Sequence, residues 1–179
     1  MSTELAARVP ESAPASATHA SPDETALGSW RAFIHAHAKL TRRLDEELQA
    51  EHGLSLAEYD ALLQLARTPE RRLRMSTLAE RVLLSRSGIT RLVDRLVADG
   101  TVMRTACPTD ARGAEATLTP IGLERLRAAS RTHLAGVQRY FLDAVGAVDG
   151  PAIERGLTRV IDTVGGPSTA ESHCDSAPV

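Results

Sequence analysis

The chain has 179 residues, enough to bury one core without disulfides or metals as staples. Hydrophobic residues make up 42% and charged residues 25%, which is globular, while an aromatic share of only 3% argues against a barrel or sandwich cored with rings and favours helices. A formal net charge of -2 gives no sign of a polyanionic partner, and two cysteines, Cys107 and Cys174, exclude a disulfide framework and a CxxC metal pair.

Met1 to Pro10 lacks a basic start followed by an apolar core, and no apolar run is long enough to span a bilayer, so a cytoplasmic protein is expected. Residues 1–26 are rich in Ala, Ser, Pro and Thr without apolar periodicity and read as a flexible tail, as do residues 165–179. Between them, Trp30, Phe33, Ile34, His37, Leu40 or Thr41, Leu44 and Leu48 recur at three- and four-residue spacing, which predicts a long amphipathic helix closed near Gly53. Ser55 is a plausible N-cap for a second helix carrying Leu56, Tyr59, Leu62, Leu63 and Leu65, ended by Thr68-Pro69.

The segment RRLRM is short and poorly periodic. Ser76 then reads as the N-cap of TLAERV, followed by the turn LLS and a further helix from Arg86 to Asp99, closed by Gly100. Two short helices around a tight turn outline a helix-turn-helix. After Gly100, TVMRTA and EATLT read as strands of a hairpin around the polar tip CPTDARG. Thr119-Pro120 supplies an N-cap and an N1 proline for a helix running through Leu142, and Pro151 is expected to open a last one with Ile153, Leu157, Val160, Ile161 and Val164 on one face. The expected fold class is mainly α with a small β-hairpin wing.

In a helix-turn-helix the two helices pack through small and apolar residues, leaving the outer face of the second free. Leu78, Ala79, Val82, Leu84, Ile89 and Leu92 meet that need, and Arg86, Ser87, Thr90, Arg91, Asp94 and Arg95 are left outward. Arginine can fork onto guanine O6 and N7, and Ser or Thr can reach bases or phosphates. The helix start, capped by Ser85, favours phosphate through its free N–H groups. At the hairpin tip Arg112 can enter a minor groove, and Asp110 can orient an arginine. From Arg67 to Arg112 ten arginines face Glu70, Glu80, Asp94, Asp99 and Asp110, a local surplus of five positive charges. The candidate DNA-binding set is therefore Ser76, Ser85, Arg86, Ser87, Thr90, Arg91, Arg95, Asp110 and Arg112. The same arginines also fit a solvated helix face, and the same helices a protein-interaction module.

This element order, with LAEYDALLQLA, LAERVLLSRSGITRLVDRLVADGTVMR and TDARGAEATLTPIG, resembles the MarR family of transcriptional regulators from about Leu27 to Val164. Asp110-Ala111-Arg112 and Leu118-Thr119-Pro120-Ile121-Gly122 look like the family's wing and its exit. The resemblance implies a homodimer, with residues 27–54 and 119–164 forming a helical dimerisation region and residues 55–118 a winged helix-turn-helix domain. It further implies a repressor bound to double-stranded DNA at a palindromic operator and released by a small aromatic or anionic effector. Two-fold symmetry would set the reading helices about 34 Å apart in successive major grooves.

Within that resemblance an effector pocket lies between the dimerisation helices and the winged domain, which makes Trp30, His37 and Tyr59 the candidate ligand-binding residues. Each is polar or aromatic on an otherwise apolar face, although a core histidine is the plainer reading of His37. Redox sensing in the family uses a cysteine on the first helix, and none is present there; Cys107 sits at the wing instead. His35, His37, His52 and His133 are dispersed over different faces, so no metal or cofactor is expected. No paired catalytic constellation, P-loop or dinucleotide fingerprint is present, and no enzymatic activity is expected.

Overall fold

The computed structural model describes residues 24–107 and 110–165, apart from the side chains of residues 25–26, 107 and 110–112. Most of the predicted N-terminal tail and the C-terminal tail from residue 166, with Cys174, lie outside the described residues. The chain divides into two units, residues 1–35 and 36–179. Helix α1 (Glu24–His52) starts inside the segment predicted as tail, with Glu24 placing an acidic side chain against the positive helix start. In the N-terminal unit Trp30, Phe33 and Ile34 are exposed, and the Trp30 and Phe33 rings lie 6.2 Å apart.

In the second unit, the later part of the predicted apolar stripe is buried through Leu44 and Leu48. Helix α2 (Leu56–Ala66) opens with a reciprocal capping box. Ser55 Oγ accepts from the Glu58 N–H at 3.2 Å, and Glu58 Oε2 accepts from the Ser55 N–H at 2.9 Å. Its inward face, Tyr59, Ala61, Leu62 and Leu65, is buried in the common core.

Arg72–Arg74, predicted as an irregular link, forms strand β1, antiparallel to the later strand with Leu73 opposite Ala116. Three residues are too few to display an alternating period, so nothing in the segment itself marks it as a strand. Because Leu73 must stay buried in the sheet, the chain passes directly from β1 into α3 (Met75–Arg81). The N-cap is Arg74, which makes no side-chain cap, and Ser76 is an exposed residue of the first turn rather than the predicted cap.

Helix α4 (Arg86–Ala98) starts after Ser85, whose Oγ accepts from the Gly88 N–H at 3.1 Å, and gives way to Gly100 at φ +69°, a conformation open to glycine without strain. Strands β2 (Val102–Cys107) and β3 (Asp110–Leu118) pair antiparallel, with a register shift at Ala106/Cys107, completing a three-stranded sheet in the order β1-β3-β2. The winged sheet therefore has one strand more than the predicted hairpin. Leu78, Ile89, Leu92, Val93 and Leu96 pack with Val102 and Ala116 into one core.

Helix α5 (Pro120–Val137) begins where Thr119 Oγ1 accepts from the Gly122 N–H at 3.0 Å and donates to the Gly100 carbonyl at 2.8 Å. A π-helical turn, Gln138–Leu142, leads into α6 (Asp143–Val164). The predicted start of the last helix at Pro151 is wrong: the break falls at Gly146, where φ is 71° and ψ 169°, and Pro151 lies within α6. No helix among the described residues is long and apolar enough to cross a membrane.

Candidate nucleic-acid interface

Helix α4 divides along its length. Ile89, Leu92, Val93 and Leu96 are buried, fixing which face remains outside. On the N-terminal half Arg86, Ser87 and Arg91 are exposed, and neither arginine makes an ion pair among the described residues. Ser85 is also exposed, bonded to the helix start it caps. Thr90 is half-buried and turns its hydroxyl back to the Arg86 carbonyl at 2.9 Å.

On the C-terminal half every charged side chain is paired with a different element. Arg95 Nε donates to Glu58 Oε1 of α2 at 2.8 Å, Asp94 Oδ1 accepts from Arg104 of β2 at 3.1 Å, and Asp99 Oδ2 accepts from Arg125 of α5 at 2.8 Å. Arg125 also donates to the carbonyls of His52 and Gly53, each at 3.1 Å, tying the end of α1 to the end of α4. These links fix the helix from three sides, while Arg86, Ser87 and Arg91 on its first two turns stay exposed.

Glu58 is 8% exposed, and burial alone would raise its carboxyl. The Ser55 N–H and the Arg95 guanidinium outweigh that and hold it below the usual carboxylate value. The charged form is thus the one the fold favours.

The wing is present as the β2–β3 hairpin, and residues 110–112 belong to the backbone of β3. The side chains of Asp110, Arg112 and Cys107 lie outside the described residues. Ser76 sits on α3, away from the sequence of α4, and is exposed.

A cleft of about 760 Å³ opens in the second unit, lined among others by His37, Thr41, Arg42, Asp45, Tyr59 and His133. The Tyr59 ring lies 4.5 Å from the His133 ring, and its hydroxyl is 3.4 Å from Ser130 Oγ. Among the described residues His133 Nδ1 is buried without a hydrogen-bond partner, and burial pushes its imidazole below the ordinary value of 6.5, with Asp60 opposing. Tyr59 is itself buried, so the cleft's accessible lining is polar, through His37, Thr41, Arg42 and Asp45. Among the described residues no three His, Cys, Asp or Glu side chains are grouped to hold a metal ion.

Comparison with known proteins adds to this geometry. The sequence model of the MarR family matches residues 52–113. AbsC, a MarR family transcriptional regulator from Streptomyces coelicolor, is 30% identical over 80% of this chain and 97% of its own, with a TM-score of 0.74. Sco3205, a MarR family transcriptional regulator from the same organism solved in complex with DNA, is 32% identical over 85% of this chain and 94% of its own, with a TM-score of 0.79. The chain belongs to the MarR family. Sco5413, a third regulator from that organism, is 27% identical over 80% of this chain and 97% of its own, with a TM-score of 0.69. Among curated protein sequences none matches.

Within this MarR-family chain the predicted site residues fall into distinct groups. Ser85, Arg86, Ser87, Thr90 and Arg91 share the start of α4; Arg95 is engaged with Glu58; His37 and Tyr59 line one cleft; Trp30 belongs to the N-terminal unit. Sequence reasoning missed Glu58, although the Ser55-x-x-Glu58 spacing of a capping box was there to find it. It set His133 among the dispersed histidines and passed over Arg125, since no local pattern reports which residue a helix meets across the fold.

Proposed function

We propose that this MarR-family chain is a cytoplasmic, homodimeric transcriptional repressor that reads a palindromic operator in double-stranded DNA and is released by a small aromatic or anionic effector. The observation that carries the reading is the start of α4, where Arg86, Ser87 and Arg91 project from a helix whose other face is locked into the core. Arg86 and Arg91 are suited to guanine edges or phosphates, Ser85, Ser87 and Thr90 to shorter contacts, and Arg112 to the minor groove beside them. Ser76 and Asp110 act at the edge of this surface, Asp110 by orienting a basic side chain.

Self-association is supported by apolar side chains that a single chain leaves in water: Leu134 and Leu142 near the end of α5 and in the π turn, and Val148, Val160, Ile161 and Val164 on α6. Burial of such a face in a symmetric pair would place the two reading helices on related half-sites. Tyr59, His37 and the cleft around them form the effector site, and Trp30 is a further candidate ligand-binding residue. The relative solved with DNA is consistent with this reading.

Arg91→Ala and Arg112→Ala are expected to weaken binding to duplex from the region upstream of the chain's own gene, measured by mobility shift at fixed salt. Unchanged affinity in both variants would remove the assignment of the site. A thermal-shift screen of phenolic and carboxylate compounds tests the effector, which should raise the melting temperature and lower DNA affinity together.

A further inference from the structure

Arg95 is the one arginine of α4 whose guanidinium is held at two points. Its Nε donates to the buried Glu58 carboxylate at 2.8 Å, and its Nη1 reaches back to the Arg91 carbonyl at 3.4 Å, one turn toward the start of the helix. Its side chain nevertheless remains 60% exposed, and its Nη2 has no hydrogen-bond partner among the described residues. Glu58 in turn is fixed by the Ser55 N–H at 2.9 Å, so the carboxylate that holds Arg95 cannot follow it outward. A long side chain anchored in this way has lost its rotamer freedom before any partner arrives.

We infer that Glu58 is a positioning residue for DNA binding, fixing Arg95 so that its free edge meets a backbone phosphate beside the bases that Arg91 reads. This rests on the proposed DNA-binding function. It separates the outward arginines into a pair that meets the bases, Arg86 and Arg91, and a pre-oriented one that sets the register of the helix on the duplex. Phosphate contacts of that kind carry no sequence information but fix the orientation of the elements that do.

The test is fluorescence anisotropy of a fluorescein-labelled, mixed-sequence duplex titrated with the full chain across a range of salt concentrations. Glu58→Gln keeps an acceptor for the Ser55 N–H, since glutamine also closes a capping box, but removes the charge that anchors Arg95. Simple loss of a negative charge near DNA would tighten binding. The inference instead expects binding weaker by about fivefold, with the melting temperature near that of the wild type. Arg95→Ala should lower the salt slope by about one. The double variant should bind no more weakly than Arg95→Ala, because without Arg95 there is nothing for Glu58 to orient.

Equal or tighter binding by Glu58→Gln, or an unaltered salt slope in Arg95→Ala, overturns the inference. Should Glu58→Gln fail to fold, Arg95→Lys decides in its place: it keeps the charge and lacks the Nε donor, and is expected to bind more weakly by a similar factor with the slope unchanged. A folded wild-type chain that does not bind the duplex at low salt defeats the DNA-binding reading itself, whereas wild-type binding with unaffected variants defeats only the role of Glu58.

Discussion

Leu83 lies in the turn between α3 and α4 at φ 56°, with its side chain 90% exposed. A left-handed backbone costs a branched residue on the order of 1 kcal/mol, and nothing buried offsets it here. Leu83→Gly is therefore expected to stabilise the chain by up to about 1 kcal/mol, less glycine's own entropy cost, read as a raised midpoint in chemical denaturation. His133 makes the complementary case for a buried group. Burial beside Tyr59 depresses its pKa, so above pH 6.5 its full contribution to stability is present, and as pH falls through the folded-state value the unfolded chain gains by taking up the proton first. Glu58, also depressed, contributes in the same sense at lower pH, below its ordinary value of 4.5. Melting curves of His133→Phe, which keeps a ring beside Tyr59, are expected to show a flatter pH dependence just below 6.5 than those of the wild type. Neither feature could be read from sequence: a positive φ at a leucine carries no sequence mark, and the burial of His133 depends on a partner 74 positions away.

At the scale of elements, the limits of α4 were legible because both ends are chemical. Ser85 caps the start and Gly100 follows the end, and four apolar residues between them define the buried face. The exit motif Leu118 to Gly122 was legible as a helix start, but its glycine acquires meaning only from the fold. A Cβ at Gly122 would lie 2.1 Å from the Thr101 carbonyl oxygen and 2.8 Å from Leu118 Cδ1, so the first turn of α5 can sit against the base of the wing only without a side chain. Gly122→Ala must move one against the other, and is expected to cost about 1–3 kcal/mol of stability, measured by thermal or denaturant unfolding. A loss smaller than a few tenths of a kcal/mol would mean the junction yields freely. Strand β1 escaped the sequence reading because three residues cannot show a period, and the break in α6 escaped it because Gly146 and Gly150 are equally good breakers on paper while only the first adopts a positive φ.

Across the whole molecule, the apolar pattern specified which helix faces are covered within one chain and which are not. Leu44 and Leu48 of the first predicted stripe are buried, whereas Trp30, Phe33 and Ile34 of the same stripe are exposed, as is much of the apolar face of α6. An amphipathic reading treats all of these alike, since periodicity reports that a face wants cover and not what covers it. Self-association and DNA recognition are then linked predictions: a symmetric pair should prefer a symmetric site, and the base preference within each half should depend on the free arginines of α4. The measurement that bears most directly on this is selection of bound duplexes from a randomised pool, with the wild-type chain and with Arg91→Ala side by side. A palindromic consensus is expected for the wild type, and loss of preference at one guanine-containing position in each half-site for the variant. An identical consensus from both proteins, or no consensus from a folded wild-type chain, would contradict it.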